Sequence, residues 1–303
     1  MNDRESMPLP GEKIGACIEA ACVMEVLAPK AGNVHPGFSW NFTDLDVADF
    51  LASARALRPV FETAADRTVG EMVLESVRAT RAVVSTNTNL GQILLLAPLS
   101  KAAFETGRID REEVQGILLK LTVHDAIAVY EAIALAKPGG MGQRGSQDIA
   151  DRPTCTFYEA MKLAASYDDV AAQYATGFSD VFEMAGELEK EVRISGDWLR
   201  AIADVHLARL VRGDTLVRRK CGDAIEAELK SLAASVVRHR ADPAKYQAEH
   251  AKFDAWLRAD GNRRNPGTTA DLITAALFVG LFSGTIEIPP DLTRRASKSS
   301  KQT

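Results

Sequence analysis

Apolar residues recur along this chain at spacings of three and four, the period of a helix that turns one face to a core. Residues 13–28 set Ile14, Cys17, Ala21 and Met24 on one face, and Pro29 closes the stretch. Residues 44–65 repeat the pattern with Val47, Phe50, Leu51, Ala54, Leu57 and Phe61. The same period predicts helices over 68–84, 89–105, 110–136, 154–166, 168–191, 196–210, 214–239, 243–259 and 268–284. Period-two strands are missing, with only Val83-Val84 and Ile286 to Ile288 of β character. The expectation is an all-α fold of about ten or eleven helices in a single globular domain. Residues 1–11 read as a flexible N-terminus and 12–288 as the helical domain. Residues 289–303, with Arg294, Arg295, Lys298 and Lys301 among serines, read as a disordered basic tail.

Composition narrows the class. The 303 residues are 46% hydrophobic and 25% charged, enough apolar material for a sizeable core. A net charge of -5 argues against non-specific nucleic-acid binding, which needs a basic field, but leaves room for a local patch holding one polyphosphate. The most apolar run, Ile93 to Leu99, is too short to span a bilayer, and residues 1–12 hold no secretory apolar segment. Cys17, Cys22, Cys155 and Cys221 form no CxxC pair and no zinc pattern. A cytoplasmic, reducing compartment is the expectation.

Three polar or Gly-rich connections, Lys30 to Thr43, Lys137 to Arg152 and Gly261 to Gly267, are where a helical enzyme would build its site. In the first, Lys30-Ala31-Gly32-Asn33-Val34-His35-Pro36-Gly37 leads into Thr43-Asp44-Leu45-Asp46-Val47-Ala48-Asp49. Asp46 and Asp49 share a helix face, and such a pair can hold Mg²⁺ together with substrate phosphates. Capping by Thr43 or Asp44 accounts for one acid but not for the group with Lys30, Asn33 and His35. In the second, Ser85-Thr86-Asn87-Thr88-Asn89-Leu90-Gly91-Gln92 puts five small polar residues before a helix start, more than one cap needs and suited to an anion.

Four further groups are weaker. His124-Asp125 resembles a metal-dependent phosphohydrolase pair, but a lone helical histidine is more often structural. The loop Lys137-Pro138-Gly139-Gly140-Met141-Gly142-Gln143-Arg144-Gly145 could bring amides to phosphate, or serve as a long connection. Arg209, Arg212, Arg218, Arg219 and Lys220 surround Asp214-Thr215, a solvated face or a phosphate-binding cluster. Asn265-Pro266-Gly267-Thr268-Thr269-Ala270-Asp271-Leu272 spaces Thr268 and Asp271 like a capping box.

Taken in order, these motifs resemble the triphosphoribosyl-dephospho-CoA synthase family from about Glu25 to Ala276. Further anchors are Glu25-Val26, Phe50, Ser53-Ala54, Tyr130-Glu131, Gln173-Tyr174-Ala175 and Asp180-Val181-Phe182. Members join ATP and 3′-dephospho-CoA with loss of adenine. The resemblance implies an ATP-dependent transferase with Mg²⁺, in which Asp46, Asp49 and Glu25 are catalytic candidates and Asp46 and Asp49 the metal ligands. It implies substrate contacts from Lys30, Asn33, His35, Asn87, Thr88, Asn89, Asp214 and Asp271, and a homodimer as one assembly. Where characterised members carry a His and a Lys near residues 85–91, this chain has neither, and Ala31 stands where proline is usual. The chain is thus similar to a divergent branch found in archaea and in bacteria with tetrahydromethanopterin-linked one-carbon metabolism. Two alternatives follow: a transferase or ligase acting on a pterin-like acceptor, and a non-catalytic nucleotide-binding assembly protein.

Overall fold

Every regular element in residues 10–36, 46–138, 152–261 and 263–299, the part of the computed structural model described here, is an α-helix. The first six are α1 (Pro10–Leu27), α2 (Val47–Glu62), α3 (Val69–Val83), α4 (Leu90–Thr106), α5 (Arg111–Leu119) and α6 (Val123–Ala136). Then come α7 (Phe157–Ala164), α8 (Asp169–Thr176), α9 (Ser179–Ser195), α10 (Trp198–Leu210) and α11 (Thr215–Cys221). The chain continues through α12 (Asp223–Arg238), α13 (Pro243–Arg258), α14 (Gly267–Ser283) and α15 (Leu292–Ser299).

The all-α expectation holds, but there are fifteen helices among the described residues rather than ten or eleven. Three expected helices are each two. The stretch 110–136 breaks where Thr122 caps a new helix, its side chain accepting from the Asp125 N–H. The stretch 168–191 breaks at Gly177 and Phe178, with φ of 62° and 59°, a left-handed pair no helix contains. The stretch 214–239 breaks at Gly222, φ 90°. The fifteenth helix lies in the tail expected to be disordered. Leu292 and Ala296 of α15 are buried against α1 and α2, and this apolar contact orders the segment. α1 begins at Pro10, inside the stretch 1–11 expected to be flexible, and the residues before it lie outside the described ones.

The core is built around α14, apolar on all sides and buried from Leu272 to Phe282. It packs against α1, α4 and α9. α4 is nearly as apolar and runs beside it. A smaller cluster joins α10 to α13 through Leu207, Leu210, Val217, Leu229, Phe253 and Leu257, and takes in Ala31 from the segment after α1. Cys17 and Cys22 are buried free thiols. No helix among the described residues is long and apolar enough to cross a membrane.

Candidate functional site

The N-termini of α4, α8, α11 and α14 converge, and side chains from neighbouring helices bind them together. Asp214 caps α11, its Oδ1 accepting from the Leu216 and Val217 N–H groups at 3.0 and 3.1 Å. Its Oδ2 accepts from the Thr269 N–H and Oγ1 at 2.7 and 2.8 Å, which fixes the start of α14. The Thr215 hydroxyl accepts from the Asp169 N–H at 3.0 Å, and Arg219 pairs with Asp168 at 3.1 Å, which brings in α8. Asp214 is fully buried, and desolvation raises its pKa although these donors oppose the shift.

Asp271, near the start of α14, lies against the first turn of α4. A Cβ on Gly91 would collide with Asp271 Oδ2, so any larger residue there has to displace the carboxyl. Burial pushes this carboxyl well above the usual carboxylate range, and the negative charges of Glu25, Asp214 and Asp168 push the same way. The Gln92 backbone N–H favours the ionised form and only partly offsets them. The sequence put an anion at the N-terminus of α4; the structure puts the Asp271 carboxyl there.

The polar run before α4 is used inside the protein. The Leu90 N–H donates to Asn87 Oδ1 at 3.1 Å. Thr88 shares a hydroxyl–hydroxyl bond of 2.7 Å with Ser53 of α2, and Asn89 Nδ2 reaches Thr80 Oγ1 at 3.4 Å. Thr88 and Asn89 are buried, while Asn87 is half-buried. Ser53 also donates to the Asp49 carbonyl at 2.8 Å, which places the acidic start of α2 next to this run. Asp46 and Asp49 form a capping box, the Asp49 N–H donating to Asp46 Oδ1 at 3.0 Å and the Asp46 N–H to Asp49 Oδ2 at 3.1 Å. The cap is thus Asp46, not Thr43 or Asp44, which lie outside the described residues. Among the described residues one oxygen of each carboxylate is committed to the cap, and the pair offers donors of the kind Mg²⁺ takes beside phosphate. No cluster of three or more metal-ligating side chains occurs among the described residues.

Lys30 is not displayed to solvent. It is fully buried, its Nζ 2.9 Å from Glu25 Oε1 and bonded to the Glu25 and Ala28 carbonyls at the end of α1. Burial lowers its pKa, and the Glu25 carboxylate works to keep it charged. The turn that follows is tied to α13. The Gly32 N–H donates to Asp254 Oδ1 at 2.7 Å, and Arg258 donates to the Asn33 carbonyl at 2.8 Å. Asn33 Nδ2 reaches Asn265 Oδ1 at 2.8 Å, joining this turn to the segment that starts α14. His35 is half-buried, and burial plus the charges of Arg258 and Lys30 bring its pKa down to about 4.

Across residues 11–288 the sequence matches the model of the family CitG, ATP:dephospho-CoA triphosphoribosyl transferase. The chain belongs to this family. A search of curated proteins returns no match. Among solved structures, this family member is similar to an Archaeoglobus fulgidus protein provisionally named triphosphoribosyl-dephospho-CoA synthase. The two are 27% identical with a TM-score of 0.63, over 78% of this chain and 98% of that one.

The transferase fold therefore sets Glu25 and Asp214 near Asp271, leads Thr88 and Asn89 into the turn of α4 that Asp271 meets, and ties Asn33 to Asn265 ahead of α14. It separates His124-Asp125 from them in role. Asp125 accepts from the Gly70 N–H at 2.8 Å and from Thr122, stapling α3 to α6, while His124 is exposed. The arginine cluster is likewise matched internally, Arg209 by Asp169 at 3.0 Å and Arg212 by Asp180 at 2.9 Å. The loop Gly139 to Gly145 lies outside the described residues. Sequence reasoning missed Asp168 altogether, and named Gln92 and Arg219 without linking the one to Asp271 or the other to Asp168. No local spacing marks them, because tertiary packing alone brings α8, α11 and α4 to α14.

Proposed function

We propose that this transferase joins ATP to 3′-dephospho-CoA, releasing adenine and forming 2′-(5″-triphosphoribosyl)-3′-dephospho-CoA. The observation that carries the proposal is the family match across 11–288, whose motif segments meet at the N-termini of α4 and α14. In this reaction the bond from ribose C1′ to the purine nitrogen breaks, and the acceptor 2′-hydroxyl oxygen forms the new bond to C1′ while losing its proton. An oxocarbenium-like centre of this kind is favoured by a nearby carboxylate, and Glu25, whose charge acts on Asp271, would supply one. Asp46 and Asp49 would hold Mg²⁺, which supplies charge neutralisation on the retained triphosphate.

Incubation of the protein with ATP, 3′-dephospho-CoA and Mg²⁺ is expected to release adenine in step with product, as read by chromatography. ATP-dependent thermal stabilisation without adenine would leave a different acceptor or a non-catalytic binder. A pterin-like acceptor is the second reading. It is favoured by the absence of a His and a Lys in residues 85–91, where Asn87, Thr88 and Asn89 are bonded within the protein.

A further inference from the structure

We propose that Tyr174 is a positioning residue for the candidate site: its hydroxyl takes the α4 carbonyl that Pro98 leaves without a helical donor, and so holds the first turns of α4 in place against Asp271. The expected effect on turnover rests on the transfer reaction proposed above; the expected effect on α4 does not.

α4 carries Pro98 inside it. Proline has no N–H, so the carbonyl four residues earlier, that of Leu94, loses the donor a helix would give it. Leu94 and Pro98 are both buried, where an unbonded carbonyl destabilises the fold. The Tyr174 hydroxyl donates to the Leu94 carbonyl at 2.6 Å. Tyr174 lies on α8 and is fully buried, and two rings fix the direction of its phenol. Phe157 meets it edge-on with ring centres 5.2 Å apart, and Phe178 lies tilted against it at 5.5 Å.

Leu94 stands about one turn after Gly91, the residue whose missing side chain admits Asp271 Oδ2. The turns of α4 that meet α14 are therefore the ones that precede the missing rung. α8 is itself anchored elsewhere. At its start the Asp169 N–H donates to Thr215 Oγ1 at 3.0 Å, and Asp168 pairs with Arg219 at 3.1 Å, both partners on α11. Beside Tyr174, Gln173 Oε1 accepts from the Asp180 and Val181 N–H groups of α9 at 3.2 and 3.4 Å. These bonds fix α8 to α9 and α11, so the hydroxyl reaches α4 from a rigid frame. Tyr174 thus sets where the start of α4 stands relative to α11 and α14, and acts on the site through that helix rather than on a substrate.

The test restores the missing donor. Pro98→Ala returns an N–H to the Leu94 carbonyl, and Tyr174→Phe removes only the hydroxyl. Tyr174→Phe alone is expected to speed amide exchange at Leu95, Leu96 and Ala97 by roughly tenfold or more. Assayed well below its unfolding transition, the same variant is expected to lower kcat for adenine release by roughly 10–100-fold, with KM for ATP within about threefold of the wild type. In the Pro98→Ala background, Tyr174→Phe is expected to change either readout by less than about threefold, a comparison that holds even where Tyr174→Phe alone does not fold. Equal losses in the two backgrounds overturn the assignment, because the hydroxyl then acts through something other than the Leu94 carbonyl. Unchanged exchange across α4 in Tyr174→Phe also overturns it, as does a raised KM at unchanged kcat, or wild-type turnover in a variant whose α4 exchanges faster. If the wild type releases no adenine, the transfer reading fails, and the exchange measurements in the two backgrounds alone decide whether Tyr174 holds α4.

Discussion

At the scale of single residues, the site depends on one missing side chain. Gly91 has no Cβ, and the space that a Cβ would take is filled by Asp271 Oδ2. Gly91→Ala forces the carboxyl away from α4. It is expected to cost about 1–3 kcal/mol in a denaturant titration, as other overpacked sites do, and to remove adenine release. The excess of polar residues around 85–92 was legible in the sequence as something beyond a simple cap. Its meaning was not, since Thr88 answers to Ser53 and Asn89 to Thr80, partners distant in sequence. Lys30 shows the same limit. Its charge was visible, but the carboxylate five residues earlier that neutralises it became a partner only when α1 ended and the chain turned back.

At the scale of elements, periodicity located nearly every helix and failed at their junctions. The break at Thr122 was hidden because apolar residues continue on both sides of it, and only the cap itself marks it. That cap does more than end a helix. Asp125 Oδ1 receives the Gly70 N–H and Oδ2 receives the Thr122 N–H and hydroxyl, so one carboxylate binds α6 to α3. These donors hold its pKa below the usual carboxylate value despite desolvation. Asp125→Ala leaves the buried Gly70 N–H without its acceptor and is expected to lower stability by about 1–3 kcal/mol. The thermal midpoint should drop, while ATP-dependent stabilisation of the remaining folded protein persists, because this staple stands apart from α14. The tail illustrates the converse error. Its basic composition suggested disorder, yet Leu292 and Ala296, spaced by four, were enough to seat a helix on α1 and α2.

For the whole molecule, three histidines set how it meets acid. His35, His206 and His250 all have pKa values depressed below 6.5, in each case chiefly by burial, and His35 reaches about 4. His206 is fully buried, with neither ring nitrogen bonded among the described residues. Because the unfolded chain takes up these protons first, the contribution of these histidines to stability is complete above about pH 6.5 and is lost as pH falls toward 4. Unfolding midpoints measured across that window should decline, and His206→Leu should flatten the decline; an unchanged slope would remove His206 from the account. The division of the interior into a large cluster and a small one has a further consequence. Gly32 and Asn33 follow α1 in the chain, but they hang from Asp254 and Arg258 of α13, and Ala31 sits in the smaller cluster. In amide hydrogen exchange, Gly32 should therefore keep time with α13 rather than with α1, both opening in one cooperative unit while Ile18 remains protected.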